Sequence, residues 1–231
     1  MVEKFHVELQ EVRQNVQEMG VLALKMLEES VESLKQIDEQ KKQWVLDNKG
    51  KLADMDDEIE QKTLRLIALY QPMAIDLREI ACILKMVTYL NRIGRYGKNI
   101  ALVIDEFKEK GHVKKLVSIP HMYQLVHSMI SDALKAYEYK DISSFDDFID
   151  REETVDELRY SVFRECLSYM IEDPKVITRC MHYTMVARYL ERCADHACKM
   201  AEKITYMVTG QRVEIDCSDD TSKACFYHGK K

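Results

Sequence analysis

Glycine and proline are scarce in this chain, and long uninterrupted apolar runs are absent from it. There are 7 Gly and 3 Pro among 231 residues, about 4% against the roughly 12% of average usage. Sheet proteins of this size need many turn residues, so the scarcity argues strongly against all-β and α/β folds. No apolar run approaches the roughly 20 residues that span a bilayer, and the first residues show no signal-peptide pattern. We therefore expect a soluble, cytoplasmic, all-α protein.

The charge balance is acidic, with 34 Lys and Arg against 40 Asp and Glu. This balance disfavours general binding to nucleic acid. Seven cysteines make an odd count without a C-x-x-C pair, which predicts buried thiols in a reducing compartment rather than disulfides. The nearest approach to a zinc site is a loose trio in the tail, Cys217, Cys225 and His228, one ligand short of the usual four.

The clearest helical pattern lies near the end of the chain. Over residues 176–208, apolar residues recur at alternating steps of four and three, which indicates one long helix with a single buried stripe. Pro174 stands just before this segment and Gly210 just after it. These are the residues that commonly begin and end a helix.

The same pattern occurs one hundred residues earlier, over residues 80–104, and it indicates an internal duplication. Pro72 precedes the earlier helix much as Pro174 precedes the later one. Gly94 and Gly97 fall in the contact stripe. We interpret them as sites of close helix packing rather than a phosphate-binding loop, because no strand precedes them.

The duplication predicts two tandem, pseudo-symmetric bundles of three long helices with short connections. We assign residues 1–111 to the first repeat, 112–210 to the second and 211–231 to a tail. The helices are predicted over 3–38, 41–71, 73–109, 114–140, 144–172 and 175–209.

Two pairs of acidic residues are spaced four apart on the last two helices. These are Glu152 with Asp156 and Glu191 with Asp195. The spacing puts both carboxylates of a pair on one helix face, where like charges cost about 0.2 to 0.5 kcal/mol in water. A cation would remove that cost, and oxygen ligands favour hard ions such as magnesium, calcium, manganese or iron. The alternative interpretation is a solvated acidic face.

The residues around these acids resemble a known family. Residues 189–197, Y-L-E-R-C-A-D-H-A, are similar to the L-E-R-I-G-D-H-A signature of PhoU proteins, the phosphate-uptake regulators. Residues 90–101 resemble the same signature in the first repeat. Residues 170–174 resemble the M-x-E-D-P turn of the family, and residues 64–72 resemble its L-R-L-L-A-L-Q-Q-P segment. The resemblance extends over about residues 5–210.

The resemblance implies two three-helix bundles, metal bound on E-x-x-x-D and D-x-x-x-D pairs, and negative regulation of phosphate acquisition without catalysis. Matched residue by residue, the metal pairs are Glu191 with Asp195 and Glu152 with Asp156. The ion would be a hard divalent or trivalent one, iron, manganese or magnesium, with zinc as a further candidate. The implied partners are a phosphate ABC transporter and a membrane sensor kinase. A homodimer is expected, with no nucleic acid and at most peripheral membrane contact.

The first repeat departs from the family pattern at its acidic positions. Asn91 and Arg95 replace the Glu and Asp of the signature, and counting back from Pro72 puts Lys49 and Ala53 at the other pair. We therefore predict that the first metal site is absent, with the charge of Arg95 in its place. Four nearby acids are interpreted as a solvated face, with a shifted metal site as the alternative: Asp54, Asp56, Asp57 and Glu58.

Two other functional classes remain open, a metal-free helical scaffold and a carboxylate-bridged di-iron enzyme. The enzyme would need E-x-x-H pairs on two core helices. Two pairs have that spacing, Glu3 with His6 and Glu109 with His112. One pair begins the chain and the other spans Gly111, so neither lies in the middle of a helix. His196, which is about 100° around the helix from Asp195, is assigned to packing or solvent.

Overall fold

A computed structural model of the protein describes residues 2–215, which form six α-helices and no strand. The helices are α1 (Val2–Gln36), α2 (Glu39–Tyr70), α3 (Ala74–Leu102), α4 (Ser118–Tyr139), α5 (Phe148–Glu172) and α6 (Ile177–Thr209). Short 3-10 helices occupy Val103–Glu106, Ser143–Phe145 and Pro174–Val176. The predicted all-α fold is confirmed.

No helix in this range has the length and apolarity needed to cross a membrane. The tail trio Cys217, Cys225 and His228 lies outside the described residues.

Local chemistry fixes several helix ends. The carboxylate of Asp38 accepts hydrogen bonds from the backbone nitrogens of Gln40 and Lys41, at 2.8 and 3.2 Å, and so caps the start of α2. The end of α2 is closed by Gln71, which takes the left-handed conformation with φ of 47°. Gly210 closes α6 in the same conformation, with φ of 75°. The predicted stop at Gly210 is confirmed, because glycine adopts this conformation without strain.

The predicted helix ends agree with the structure to within four residues, except at the end of α3. That helix was predicted to reach residue 109, but it ends at Leu102 and tightens into the 3-10 helix Val103–Glu106. Phe107 is buried just beyond it. The spacing of buried apolar residues therefore continues although the α-helix has given way to a 3-10 helix. Helix α4 begins at Ser118 rather than at residue 114, and Pro120 is tolerated because it lies in the first turn.

The two halves share one buried core. In each half the three helices pack on one another, while α3 packs against α6 and α1 against α4 across the middle. Gly97 marks a close approach of backbones, since a Cβ there would lie 3.1 Å from the carbonyl oxygen of Met26 in α1. The packing interpretation of this glycine is therefore confirmed. The five cysteines in the described range are buried free thiols, as expected: Cys82, Cys166, Cys180, Cys193 and Cys198.

A buried carboxylate joins the halves. Glu79 of α3 is 1% exposed and accepts hydrogen bonds from Arg13 of α1, with Nη2 at 2.6 Å, and from Lys140 after α4, with Nζ at 3.2 Å. Burial by itself would raise the pKa of Glu79, but the two cations hold that pKa below its ordinary value. Glu79 is therefore ionised and paired in the core.

Candidate metal centre

The four acidic residues predicted as ligands line one groove. The groove has a volume of about 530 Å³, and Glu152, Asp156, Glu191 and Asp195 are all in its wall. Helix α5 supplies the first pair and α6 the second, and the two helices pack against each other. The spacing of four within each pair therefore brings the side chains to one space, as the sequence suggested.

Glu191 is the most buried of the four acids, with 7% of its surface exposed. Its Oε2 atom is buried and has no hydrogen-bond partner. Burial first, and then the nearby carboxylate of Asp195, raise the pKa of Glu191, with Asp156 of α5 adding to the effect. The positive charges of Arg188 and Arg159 oppose this rise in the pKa.

Arginines from the same helix hold two of these carboxylates. Arg188 donates to Glu191, and Nη1 of Arg192 donates to Oδ2 of Asp195 at 2.9 Å. Both arginines line the groove. They were missed as site residues in the sequence, although the spacing of three between each arginine and its acid was visible there.

The donor atoms fit the predicted hard cation. Oε2 of Glu191 and Oδ1 of Asp156 are buried carboxylate oxygens without a hydrogen-bond partner, although Nε of Arg159 lies 3.7 Å from Oδ1 of Asp156 as an ion pair. Such oxygens are costly to bury unsatisfied, and they are the ligands that hard cations prefer. Nevertheless, no three Asp, Glu, His or Cys side chains among residues 2–215 converge as a ready-made metal site. Arg188 and Arg192 each bond one carboxylate oxygen, of Glu191 and Asp195 respectively, so ligation by all four acids would use the other oxygens or rearranged side chains.

His196 also belongs to the wall of the groove. Its ring stacks on Tyr89 and Tyr96 of α3, with ring centroids 5.6 and 5.9 Å apart. The predicted packing role of His196 is therefore confirmed for the faces of its ring. However, Nε2 of His196 is buried without a hydrogen-bond partner. Burial, and next the charge of Arg92, lower the pKa of His196 to about 4. The ring is therefore neutral at neutral pH.

The first half presents different chemistry. Leu52 of α2 is buried as Val155 of α5 is, and matching these two residues puts Lys49 and Ala53 at the acidic positions of α5. Both side chains are exposed, as is Arg95 of α3. Three of the nearby acids are also exposed, in agreement with a solvated face: Asp54, Asp57 and Glu58.

Asp56 differs from its three neighbours. It is half-buried and accepts a hydrogen bond from the side-chain amide of Asn91 in α3. The prediction of a solvated face was therefore wrong for this residue. Asp56 lies one turn after the buried Leu52, at the edge of the stripe that faces α3, and the sequence alone did not show that edge.

The residues considered for a di-iron enzyme do not form a centre. Glu3 and His6 are exposed at the start of α1. Glu109 is exposed, while Nδ1 of His112 lies 2.9 Å from the hydroxyl of Tyr183. No acid and histidine cluster able to hold a metal occurs at either place within the described range.

Comparison with known proteins identifies the family. The model of the PhoU domain matches this chain twice, over residues 16–104 and 119–204. The chain belongs to the PhoU family. The matches fall on either side of the predicted division at residue 111, which stays a prediction. The resemblance noted in the sequence is confirmed.

Curated relatives and solved structures agree with this assignment. The phosphate-specific transport system accessory protein PhoU homolog of Rhizobium meliloti is 36% identical over 207 residues, 89% of this chain and 87% of that protein. Its counterpart in Clostridium acetobutylicum is 32% identical over 213 residues, 92% and 97% of the two chains. PhoU from Pseudomonas aeruginosa has a TM-score of 0.86 at 32% identity, covering 90% of this chain and 100% of the other. The phosphate transport system regulatory protein PhoU from Streptococcus pneumoniae has a TM-score of 0.82 at 25% identity, covering 91% and 99%.

Proposed function

We propose that this PhoU-family protein regulates phosphate uptake and phosphate signalling by binding protein partners, without catalysing a reaction. The names of its relatives, accessory proteins of a phosphate-specific transport system, support this role. The partners are a phosphate ABC transporter and its membrane sensor kinase, which the protein meets in the cytoplasm as a homodimer.

An exposed apolar face on the second half supports partner binding. It consists of seven large side chains, Tyr160, Phe163, Leu167 and Ile171 on α5 and Ile177, Met181 and Met185 on α6. The spacings of three and four residues keep each set on one side of its helix. Exposed apolar residues grouped in this way are typical of protein interaction surfaces.

The partner proposal is tested with purified phosphate transporter in detergent. We expect Leu167→Asp or Met181→Asp to weaken binding by about tenfold or more, because each buries a charge in an apolar contact. Val21→Asp, an exposed apolar position on α1, is the matched control and should bind as wild type does. Unchanged binding by both variants of the apolar face would show that the contact lies elsewhere.

We further propose that a hard cation binds on the four acidic residues of the groove and that the first half binds none. The observation that carries this proposal is that all four acids line one groove in the second half. Bound there, the ion would neutralise the crowded carboxylates and hold α5 to α6. Tyr160 of the apolar face follows Asp156 by one helical turn, so metal binding and partner binding would be structurally coupled.

Titration of the metal-free protein with Mn²⁺ or Fe³⁺, followed by calorimetry, tests the metal site. Anomalous scattering from crystals should then locate the ion in the second half alone. Equal occupancy of the two halves would contradict the proposed asymmetry. Binding of neither ion would favour a metal-free scaffold, in which ion pairs with arginine already neutralise three of the carboxylates.

A further inference from the structure

We propose that a basic cleft between α3 and the end of α6 binds a small, multiply charged oxyanion, for which inorganic phosphate is the probe. The cleft has a volume of about 300 Å³ and is lined by residues of α3, of α6 and of the segment that follows α6. Ligand pockets range from about 300 to 1,000 Å³, so this cleft suits a small ion. The inference is independent of the metal groove and of the partner contacts, and only the choice of phosphate rests on the proposed function.

Three basic side chains from three separate segments meet in this cleft. They are Lys85 of α3, Lys203 of α6 and Arg212 beyond α6. Like charges gathered in one cavity repel one another, and an anion bound among them removes that repulsion. The chain as a whole has a net charge of −6, so an excess of basic residues does not explain the cluster.

The cleft keeps a net positive charge because its wall contains a single carboxylate among the described residues, that of Glu202. Its Oε1 accepts hydrogen bonds from Nζ of Lys199 at 2.9 Å and from the backbone nitrogen of Ile215 at 3.0 Å. Its Oε2 lies 3.6 Å from Nζ of Lys203. One acid against three basic side chains leaves the wall with a charge of plus two.

Arg212 is held in a position that suits an oxyanion. Its guanidinium group lies over the ring of Tyr206, 5.5 Å from the ring centroid, and both side chains line the cleft. A cation–π contact does not use the N–H groups as hydrogen-bond donors. The planar fork of these donors matches the oxygens of phosphate. Arg212 therefore has both a fixed place and free donors.

The floor of the cleft carries no negative charge. It includes Cys82 of α3, which is buried. Burial, and then the charge of Glu79, raise the pKa of the Cys82 thiol, and the charge of Lys203 opposes this rise. The thiol is therefore protonated at neutral pH and does not repel an anion.

Arg78 adds a fourth positive charge at this end of the molecule. It precedes Cys82 by one turn of α3, so the two residues share a helix face. The guanidinium atoms of Arg78 would lie 3.6 to 3.8 Å from a Cβ placed on Gly210, two residues before Arg212. Its Nε atom is buried without a hydrogen-bond partner, so the basic character of the cleft extends to the start of α3.

Calorimetric titration of the full-length protein with inorganic phosphate, at an ionic strength held constant with potassium chloride, tests the site. We expect saturable binding of one anion per chain. Lys85→Gln and Arg212→Gln should each lower the affinity by about tenfold, because each removes a charge-assisted contact. Lys51→Gln and Arg164→Gln change exposed positions on α2 and α5. They are the matched controls, with the same change in net charge, and should bind phosphate as wild type does.

Crystals soaked in tungstate, a heavier oxyanion, should show anomalous scattering in the cleft. No saturable phosphate binding, binding that resists both substitutions, or tungstate bound only elsewhere would each overturn the proposal. Phosphatidylcholine vesicles that contain phosphatidic acid should leave the protein in solution. Sedimentation with these vesicles that Lys85→Gln abolishes would show that a lipid headgroup, and not a free anion, is the ligand. Transporter binding is measured separately, so the proposed function can stand where this site fails.

Discussion

Asn91 in α3 donates a hydrogen bond to Asp56 in α2, in the half of the molecule that lacks the acidic pairs. At the matching position of the signature, α6 carries Glu191, which pairs with Arg188 and keeps one buried oxygen unpartnered. An amide can donate to a carboxylate, whereas a second carboxylate can only repel it. The first half therefore satisfies the carboxylate of Asp56 with its own amide, whereas the second half leaves one carboxylate oxygen of Glu191 without a hydrogen-bond partner.

Replacing Asn91 by Asp should destabilise the metal-free protein. The change sets two carboxylates against each other in place of a hydrogen bond, and we expect a loss of about 1 kcal/mol in the free energy of unfolding. Urea denaturation followed by circular dichroism measures this loss. Adding Asp56→Asn to the same chain should restore most of the stability, and a single variant as stable as wild type would contradict the role of the bond.

Asp195→Asn should lower metal occupancy while leaving the fold intact. The change removes one charged oxygen ligand, and we expect Mn²⁺ affinity to fall by about tenfold or more. Calorimetric titration gives the affinity, and circular dichroism reports the fold. Asp57→Asn removes an exposed acid of α2 and serves as the control with the same change in net charge. Unaltered binding after Asp195→Asn would mean that the carboxylate assignment is wrong.

The substitution Arg95→Asp tests the prediction that the first half has no metal site. It restores one acid of the lost signature pair but leaves Asn91, Lys49 and Ala53 unchanged. We therefore expect no second metal site in crystals soaked with Mn²⁺ and examined by anomalous scattering. An ion bound there at full occupancy would refute the prediction that several ligands were lost together.

Glu79→Gln should weaken the link between the halves. The change leaves the charge of Arg13 without its buried partner, and we expect a loss of about 2 to 4 kcal/mol at neutral pH. The ion pairs hold the pKa of Glu79 below its ordinary value. At a pH above that ordinary value, Glu79 therefore makes its whole contribution to the free energy of unfolding. This contribution is lost as the pH falls through the lowered pKa. Thermal melts at several pH values should show wild type and variant converging in acid, and a constant difference at all pH values would argue against the ion pairs.

Two glycine substitutions separate packing from helix propensity. Gly97→Ala places a Cβ 3.1 Å from the backbone of Met26, so α1 and α3 must move apart, and we expect a loss of about 1 to 3 kcal/mol. Gly50→Ala meets no atom within 4 Å on α2 and should stabilise the protein by about 0.5 to 1 kcal/mol. The two midpoints in urea should shift in opposite directions. A shift of the same sign would show that the close approach at Gly97 is not rigid.

The helical periodicity was sufficient to predict six helices, the duplication and the four acids of the groove. These features repeat along the chain at short range, so they are visible without knowledge of the packing. The end of α3 was not visible in this way, because Phe107 remains buried although the helix has tightened before it. The buried residues keep their helical spacing here, while the backbone hydrogen bonds change from the α-helical to the 3-10 pattern.

By itself, the sequence determined which side chains share a helix face, since that depends only on spacing along one helix. The pairing of Arg188 with Glu191 is of this kind. Only the tertiary structure decided which faces meet and in what register. It placed Asp56 against Asn91, and it put His196 in the groove beside residues of α5. These contacts depend on how far one helix is shifted and rotated against another, and the packing of the whole core sets that shift.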